Sequence, residues 1–229
     1  MILKQLPLEK CDLATGLVVV IDVCRAFTTS AFTLAAGAQR ILLVGTVEEA
    51  LSLRQELPGS LVMGEVNGLP VPGFDLWNSP SAIQKKGIDL FGKTVIQRTS
   101  SGTQGVVRSV NGIAWLAASF VVASATLRLI RKLAIDEVAF IITGSQAATG
   151  AAEDVTLAKF LIDRLEGKQV NPENYLDWHP KWDPRRVTQD PNLLTELNAD
   201  LACCQMVDFF DFGMQVHQEG KLWVMEPIR

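Results

Sequence analysis

Six short runs rich in Val, Ile and Leu recur over the first two thirds of the chain: LVVVID at 17–22, RILLVG at 40–45, SLVMGE at 60–65, TVIQRT at 94–99, IAWLAAS at 113–119 and EVAFIIT at 137–143. Their apolarity is continuous rather than alternating, the pattern of strands covered on both faces. Such strands need helices above and below them, and the intervening segments supply candidates. These are 26–37, closed by Gly37; 47–57, closed by Pro58-Gly59; 124–133, opened by Ser124; and 150–167, with Val155, Ala158, Leu161, Ile162 and Leu165 on one stripe. Strands alternating with helices predict a three-layer α/β/α fold around a central, largely parallel or mixed sheet. After Gly167 a Pro-, Asn- and Trp-rich excursion precedes a helix near 190–206 and a hairpin turning near Glu219-Gly220.

The chain of 229 residues is 48% hydrophobic and 20% charged, enough apolar material for one sizeable core, so residues 1–229 are expected to form a single domain. A formal charge of −4 and a pI near 5.3 argue against a broad nucleic-acid footprint. An anionic ligand would have to be met locally, by a few well-placed cations or backbone N–H groups. Cysteines at 11, 24, 203 and 204 form no C-x-x-C pair and no disulfide framework, and the N-terminal residues carry Lys and Glu instead of a secretory apolar region, so a cytoplasmic, reduced protein is expected. The uncharged interval between Arg108 and Arg128 is interrupted by Asn111, Gly112, Ser119, Ser124 and Thr126, and reads as a strand entering a helix rather than a membrane span.

Four stretches carry residues suited to chemistry. In VVVIDVCRAFTTSAF (18–32), Asp22 ends an apolar strand and Arg25 follows three residues later, at the kind of strand end where α/β sheets bind ligands. Asp22 there can hold a divalent cation, attack phosphorus or pair with Arg25; Arg25 can clamp a phosphate or sulfonate with its planar fork of donors. Cys24 reads as packing, since it breaks the D-x-D pair of haloacid-dehalogenase phosphatases and lies too close to Arg25 for a tyrosine-phosphatase loop. In GEVNGLPVPGFDLWNSPS (64–81), Glu65 also follows an apolar run, and a cation held between neighbouring strand ends would take both Asp22 and Glu65; Asn67, Asp75, Asn78 and Ser79 are further candidates. In QRTSSGTQG (97–105), hydroxyls and glycines follow a strand and can cradle an oxyanion, although no P-loop is present. In TGSQAATGAAEDVTLA (143–158), Glu153 and Asp154 open a helix, where they serve its dipole, a metal or acid/base chemistry. The two histidines, His179 and His217, lie late and apart, and no zinc pattern or G-x-S-x-G elbow occurs.

In this order and spacing, VVVIDVCRAFTT, GEVNGLPVPGFDLWNSP, GKTVIQRTSSGT and GAAEDVTLAKFLIDRL resemble the 2-phosphosulfolactate phosphatase family, over about residues 15–168. The resemblance implies an α/β/α protein, commonly oligomeric, that uses Mg²⁺ to hydrolyse 2-phospho-3-sulfolactate to sulfolactate and phosphate. Three positions depart from the family pattern: Trp77 stands where Gly is usual, Ser100-Ser101-Gly102-Thr103 where Thr-Asn-Gly-Thr is usual, and Val122 where Asn is expected. The expected catalytic residues are Asp22, Arg25 and Glu65. Arg25, Asn78, Ser79, Thr99, Ser100, Ser101, Gly102 and Thr103 are expected to bind substrate, and Asp22, Glu65, Asp75 and Asp154 to hold Mg²⁺. The alternative is a non-catalytic anion-binding protein that keeps the fold. The expected partner is a small anionic phosphate ester, with no nucleic acid and no membrane. Trp178, Trp182 and Trp223, read as exposed, hint at the interface of a homo-oligomer.

Overall fold

The structure is a computed structural model that describes residues 1–85, 87–144, 152–178 and 183–229. The six apolar runs form strands β2 (Leu17–Ile21), β3 (Arg40–Leu43), β4 (Leu61–Gly64), β6 (Thr94–Arg98), β7 (Ala114–Ala118) and β8 (Glu137–Ile142). They are joined by β1 (Ile2–Pro7), a short β5 (Leu76–Trp77) and the hairpin β9 (Gly213–Glu219) and β10 (Leu222–Ile228). All ten lie in one sheet of order β1-β8-β2-β7-β9-β10-β3-β6-β4-β5. Within β1-β8-β2-β7 and within β3-β6-β4-β5 every pairing is parallel. The hairpin enters between these halves with three antiparallel pairings, so the two halves run in opposite nominal directions.

The helices are α1 (Ala26–Ala35), α2 (Val47–Glu56), α3 (Pro80–Lys85), α4 (Gly102–Arg108), α5 (Ala123–Leu133), α6 (Ala152–Leu165) and α7 (Pro191–Cys204). Alternation along β2 shows how the layers are built. Val18 and Val20 face the α1 side, whereas Leu17, Val19 and Ile21 face the side that packs Leu157, Ala158 and Leu161 of α6. Across the other half, Leu42, Ile96 and Val224 face Ala50 and Leu53 of α2. The three-layer expectation is therefore met, with a mixed sheet.

Helix α1 is buried along almost its whole length although it reads AFTTSAFTLA. An unsatisfied buried hydroxyl costs about 1–3 kcal/mol, and here each finds a carbonyl near its own helix. Thr29 donates to Arg25 O (2.9 Å), Ser30 to Ala26 O (2.8 Å), Thr33 to Thr29 O (2.8 Å) and Thr28 to Val23 O (2.8 Å). The hydroxyls after Arg25 thus serve packing. Strand twist contributes to what α1 supports. At about 20–25° per strand, the five steps from β2 to β6 accumulate over about 100°, which undoes only part of the reversal imposed by the hairpin. The carboxyl ends of β2 and β6 come together beside α1: Ser30 Oγ lies 2.8 Å from Gln97 Oε1, and a Cβ added to Gly102 would lie 2.9 Å from Asp22 Oδ2.

Several sequence expectations need correction. Strands β2 and β4 are not neighbours, since five strands separate them; the loop after β6, which bonds Glu65 through Ser100 and meets Asp22 at Gly102, links the two acids. Trp178 is 1% exposed and Trp223 is 7% exposed, so both belong to the core and mark no interface; Trp223 packs edge-on against Trp115 at 5.0 Å. Trp182 and His179 lie outside the described residues, as do residues 145–151 of the fourth stretch. Edge strand β1 escaped notice because Lys4 and Gln5 break its apolar run, as an exposed edge allows. Among the described residues no helix is long and apolar enough to cross a membrane.

Candidate active site

Two groups of buried polar side chains meet at the carboxyl ends of the strands beside α1. The first is acidic. Asp22 continues the α1-facing parity of Val18 and Val20, and its Oδ1 accepts the Ala26 N–H at 2.9 Å, capping α1. The nearby Gly102 N–H and Thr143 favour its charged form. Gly102 is dictated by this approach, because a Cβ there would also lie 2.7 Å from Ala26 Cβ. Asp154, in the first turn of α6, bridges two strand ends: Oδ1 accepts from Val23 N at 2.8 Å and Oδ2 from Gly144 N at 2.9 Å. Glu153 is buried beside it, its own backbone N–H favouring the charged form. Glu65 accepts from the N–H groups of Gly68 and Ser100 and, at 3.2 Å, from the Ser100 hydroxyl, which ties the loop after β4 to the loop after β6.

These carboxylates repel one another. Burial raises the Asp22 carboxyl to about 6, with Glu65's charge adding to it. Burial, then the charges of Glu153 and Asp22, holds Asp154 well above the usual carboxylate range; burial and Asp22 raise Glu153 in the same way. Hard oxygen donors with excess negative charge out of water fit Mg²⁺ by donor type. Asp22 and Glu153 retain the most free lone pairs, whereas Asp154 and Glu65 are largely occupied by backbone donors. Among the described residues no three carboxylate, thiol or imidazole groups converge into a complete cage, so protein ligands would provide only part of a coordination sphere.

The second group is built around Arg25. Its side chain is 5% exposed, its Nη1 donates to Asp200 Oδ2 at 2.7 Å and its Nη2 to Gly68 O at 3.1 Å. The guanidinium carbon lies 4.4 Å above the Trp77 ring. Arg25 is therefore paired, but with Asp200 of α7 rather than with Asp22. Ser79 bonds the same Asp200 and so supports the arginine. Asn78 is buried next to it with its Oδ1 unpartnered.

The loop after β6 is braced internally: Thr99 N donates to Thr103 Oγ1 at 2.9 Å and Thr103 N to Thr99 Oγ1 at 3.0 Å. Ser100 is held by Glu65, and Ser101, at the start of α4, makes no side-chain cap bond. Asp75 does not join the others. It pairs with Arg54 (2.9 Å) and accepts from Val62 N (2.8 Å), fixing the β4–β5 edge. Cys24 is half-buried and packs with Cys204, as a packing residue should. Sequence reasoning missed Asp200 and the stacking role of Trp77. The one signal for Asp200 is a lone acid between Ala199 and Leu201, on the inner stripe of α7 with Leu197 and Cys204.

Residues 2–180 match the family model for 2-phosphosulpholactate phosphatase. A protein of Carboxydothermus hydrogenoformans named "Probable 2-phosphosulfolactate phosphatase" is 38% identical over 225 residues, covering 93% of this chain and 91% of that one. A Bacillus subtilis protein of the same name is 27% identical over 225 residues, covering 92% and 91%. One of Deinococcus radiodurans, also so named, is 36% identical over 147 residues, covering 64% and 60%.

Proposed function

Because the chain belongs to the 2-phosphosulfolactate phosphatase family, whose name is that of a phosphoric monoester hydrolase, we propose that it is a Mg²⁺-dependent phosphatase of 2-phospho-3-sulfolactate or a similarly small phospho-hydroxyacid. The observation that carries this reading is the juxtaposition of a buried, mutually repelling carboxylate group with a buried guanidinium. Phosphate-ester hydrolysis asks the protein mainly to place charges and align an attacking water, and both signs of charge are in place for it.

Asp22 and Glu153 would hold Mg²⁺, while Asp154 and Glu65 fix the loops around them. When bound, the ion withdraws charge from the phosphoryl oxygens and helps align substrate. Arg25 takes the anionic group of the substrate in a water-poor setting, where a charge-assisted bond is strong. Asn78 and Ser101 supply polar contacts that the fold leaves unused. Attack by water is favoured over a phospho-Asp22 intermediate, since position 24, where a partner acid would stand, is Cys24.

The test is phosphate release from 2-phospho-3-sulfolactate and a panel of phospho-hydroxyacids, with Mg²⁺ and then with EDTA. Metal-dependent release, fastest on an ester carrying a second anionic group, is expected. No metal-dependent release on any of them would leave an anion-binding protein and defeat the reading.

A further inference from the structure

We infer that Asp200, from helix α7 beyond the residues 2–180 matched by the family model, is a positioning residue that aims Arg25 at the substrate anion; this rests on the phosphatase reading. Asp200 is fully buried, and its two oxygens have separate duties. Oδ1 accepts from the Ser79 hydroxyl at 2.7 Å, the Ser81 hydroxyl at 2.7 Å and the Ser81 N–H at 3.1 Å. Among the described residues Oδ2 accepts from Arg25 Nη1 alone, at 2.7 Å. The carboxylate is thereby locked to the start of α3 and offers the arginine a single oxygen in a fixed direction.

The geometry on the arginine side is equally one-sided. A guanidinium has five N–H donors, and among the described residues only one on Nη1 and one on Nη2 are engaged, by Asp200 and Gly68 O. Trp77 covers one face of the plane. An arginine that served only to tie α7 to the loop would suit a two-oxygen, fork-to-fork pair, which uses its donors most fully. A single-oxygen pair, with the carboxylate's other oxygen taken by two serines, holds the plane at one corner and keeps the remaining donors for a ligand. The negative charge of Asp200 by itself weakens the attraction of an anion to Arg25, so its benefit lies in orientation.

The experiment combines calorimetric binding of inorganic phosphate with steady-state kinetics, on the full chain and on Asp200→Asn, Ser81→Ala, Arg25→Ala and Arg25→Ala/Asp200→Asn. Asp200→Asn should weaken phosphate binding about tenfold or more and raise KM more than it lowers kcat. Ser81→Ala should do the same by a few-fold, and Asp200→Asn should change phosphate binding less than about twofold once Arg25 is gone. A folded Asp200→Asn protein that binds phosphate as tightly as the parent, or more tightly, overturns the inference. So does an equal loss with and without Arg25. If Asp200→Asn does not fold, unchanged phosphate affinity in Ser81→Ala overturns it. A parent protein that binds phosphate but releases none from any ester fails the phosphatase reading only, because binding alone then decides the role of Asp200; a parent that binds no phosphate removes the anion from Arg25 and overturns this role too.

Discussion

The acidic corner around Asp22 and the arginine corner around Arg25 share one end of the sheet, yet their electrostatics are opposite in kind. At the arginine corner the buried cation faces a buried anion, and every oxygen of that anion has a donor. At the acidic corner the buried carboxylates face hydroxyls, N–H groups and one another, and burial with mutual repulsion raises the carboxyls of Asp22, Glu153 and Asp154. A balanced buried pair holds geometry; an unbalanced cluster stores destabilisation that a bound cation relieves. The difference separates the part of the site whose buried charges are balanced from the part whose charges are not, and substitutions should respond accordingly.

The largest effect is expected at the balanced corner. Arg25→Ala strands Asp200 without a counter-charge, and breaking a buried pair this way costs about 3–5 kcal/mol. The loss of a charged donor on the substrate should also lower kcat/KM by about 10²–10³-fold. Arg25→Met combined with Asp200→Asn removes both charges while the amide oxygen still accepts from Ser79 and Ser81, and should recover most of the stability. It should recover none of the activity. Denaturant unfolding and kinetics on the three proteins check this, and a double variant as unstable as the single one would show that the corner is not a self-contained pair.

At the unbalanced corner the sign reverses. Asp22→Asn keeps an acceptor for the Ala26 N–H and removes a repelled charge. An ordinary aspartate titrates near 3.8, and Asp22 is raised to about 6. Its favourable contribution is therefore full below about pH 4 and is lost as pH rises through about 6, a difference worth about 2–3 kcal/mol. The metal-free parent should melt at lower temperature at pH 7.5 than at pH 5. Asp22→Asn should flatten that slope, raise the melting temperature at pH 7.5 and abolish turnover. Calorimetry in EDTA across this range measures both trends, and a variant less stable than the parent at pH 7.5 would mean that the Asp22 charge is already compensated.

The contrast between the corners also explains what was legible in the sequence. The strands announced themselves because both faces are covered; Asp22 and Glu65 stood out as acids at the ends of apolar runs, and Asp154 as an acid opening a helix. Their relation to each other was not legible: Asp22 and Glu65 meet through the loop after β6, in a sheet whose order is set by a distant hairpin beginning at Gly213. The partner of Arg25 was hidden for the same reason. Asp200 lies 175 positions away, on a helix whose inner stripe looks apolar but for this one acid. Local pattern reports burial and strand ends, while long-range ion pairs depend on topology that local pattern does not encode.

The smallest effect is expected where an acid of the same stretch lies outside both corners. Asp75 pairs with Arg54 at a partly exposed edge and accepts from Val62 N. Asparagine retains an acceptor for that N–H, and an exposed ion pair is worth about 0–1 kcal/mol. Asp75→Asn should therefore shift stability by less than about 1 kcal/mol and leave Mg²⁺-dependent kcat/KM within about twofold, because no charge at either corner changes. A large loss of activity rescued by raised Mg²⁺ would place Asp75 among the cation's ligands after all, and would mean that the β4–β5 edge moves toward Asp22 when the site is loaded.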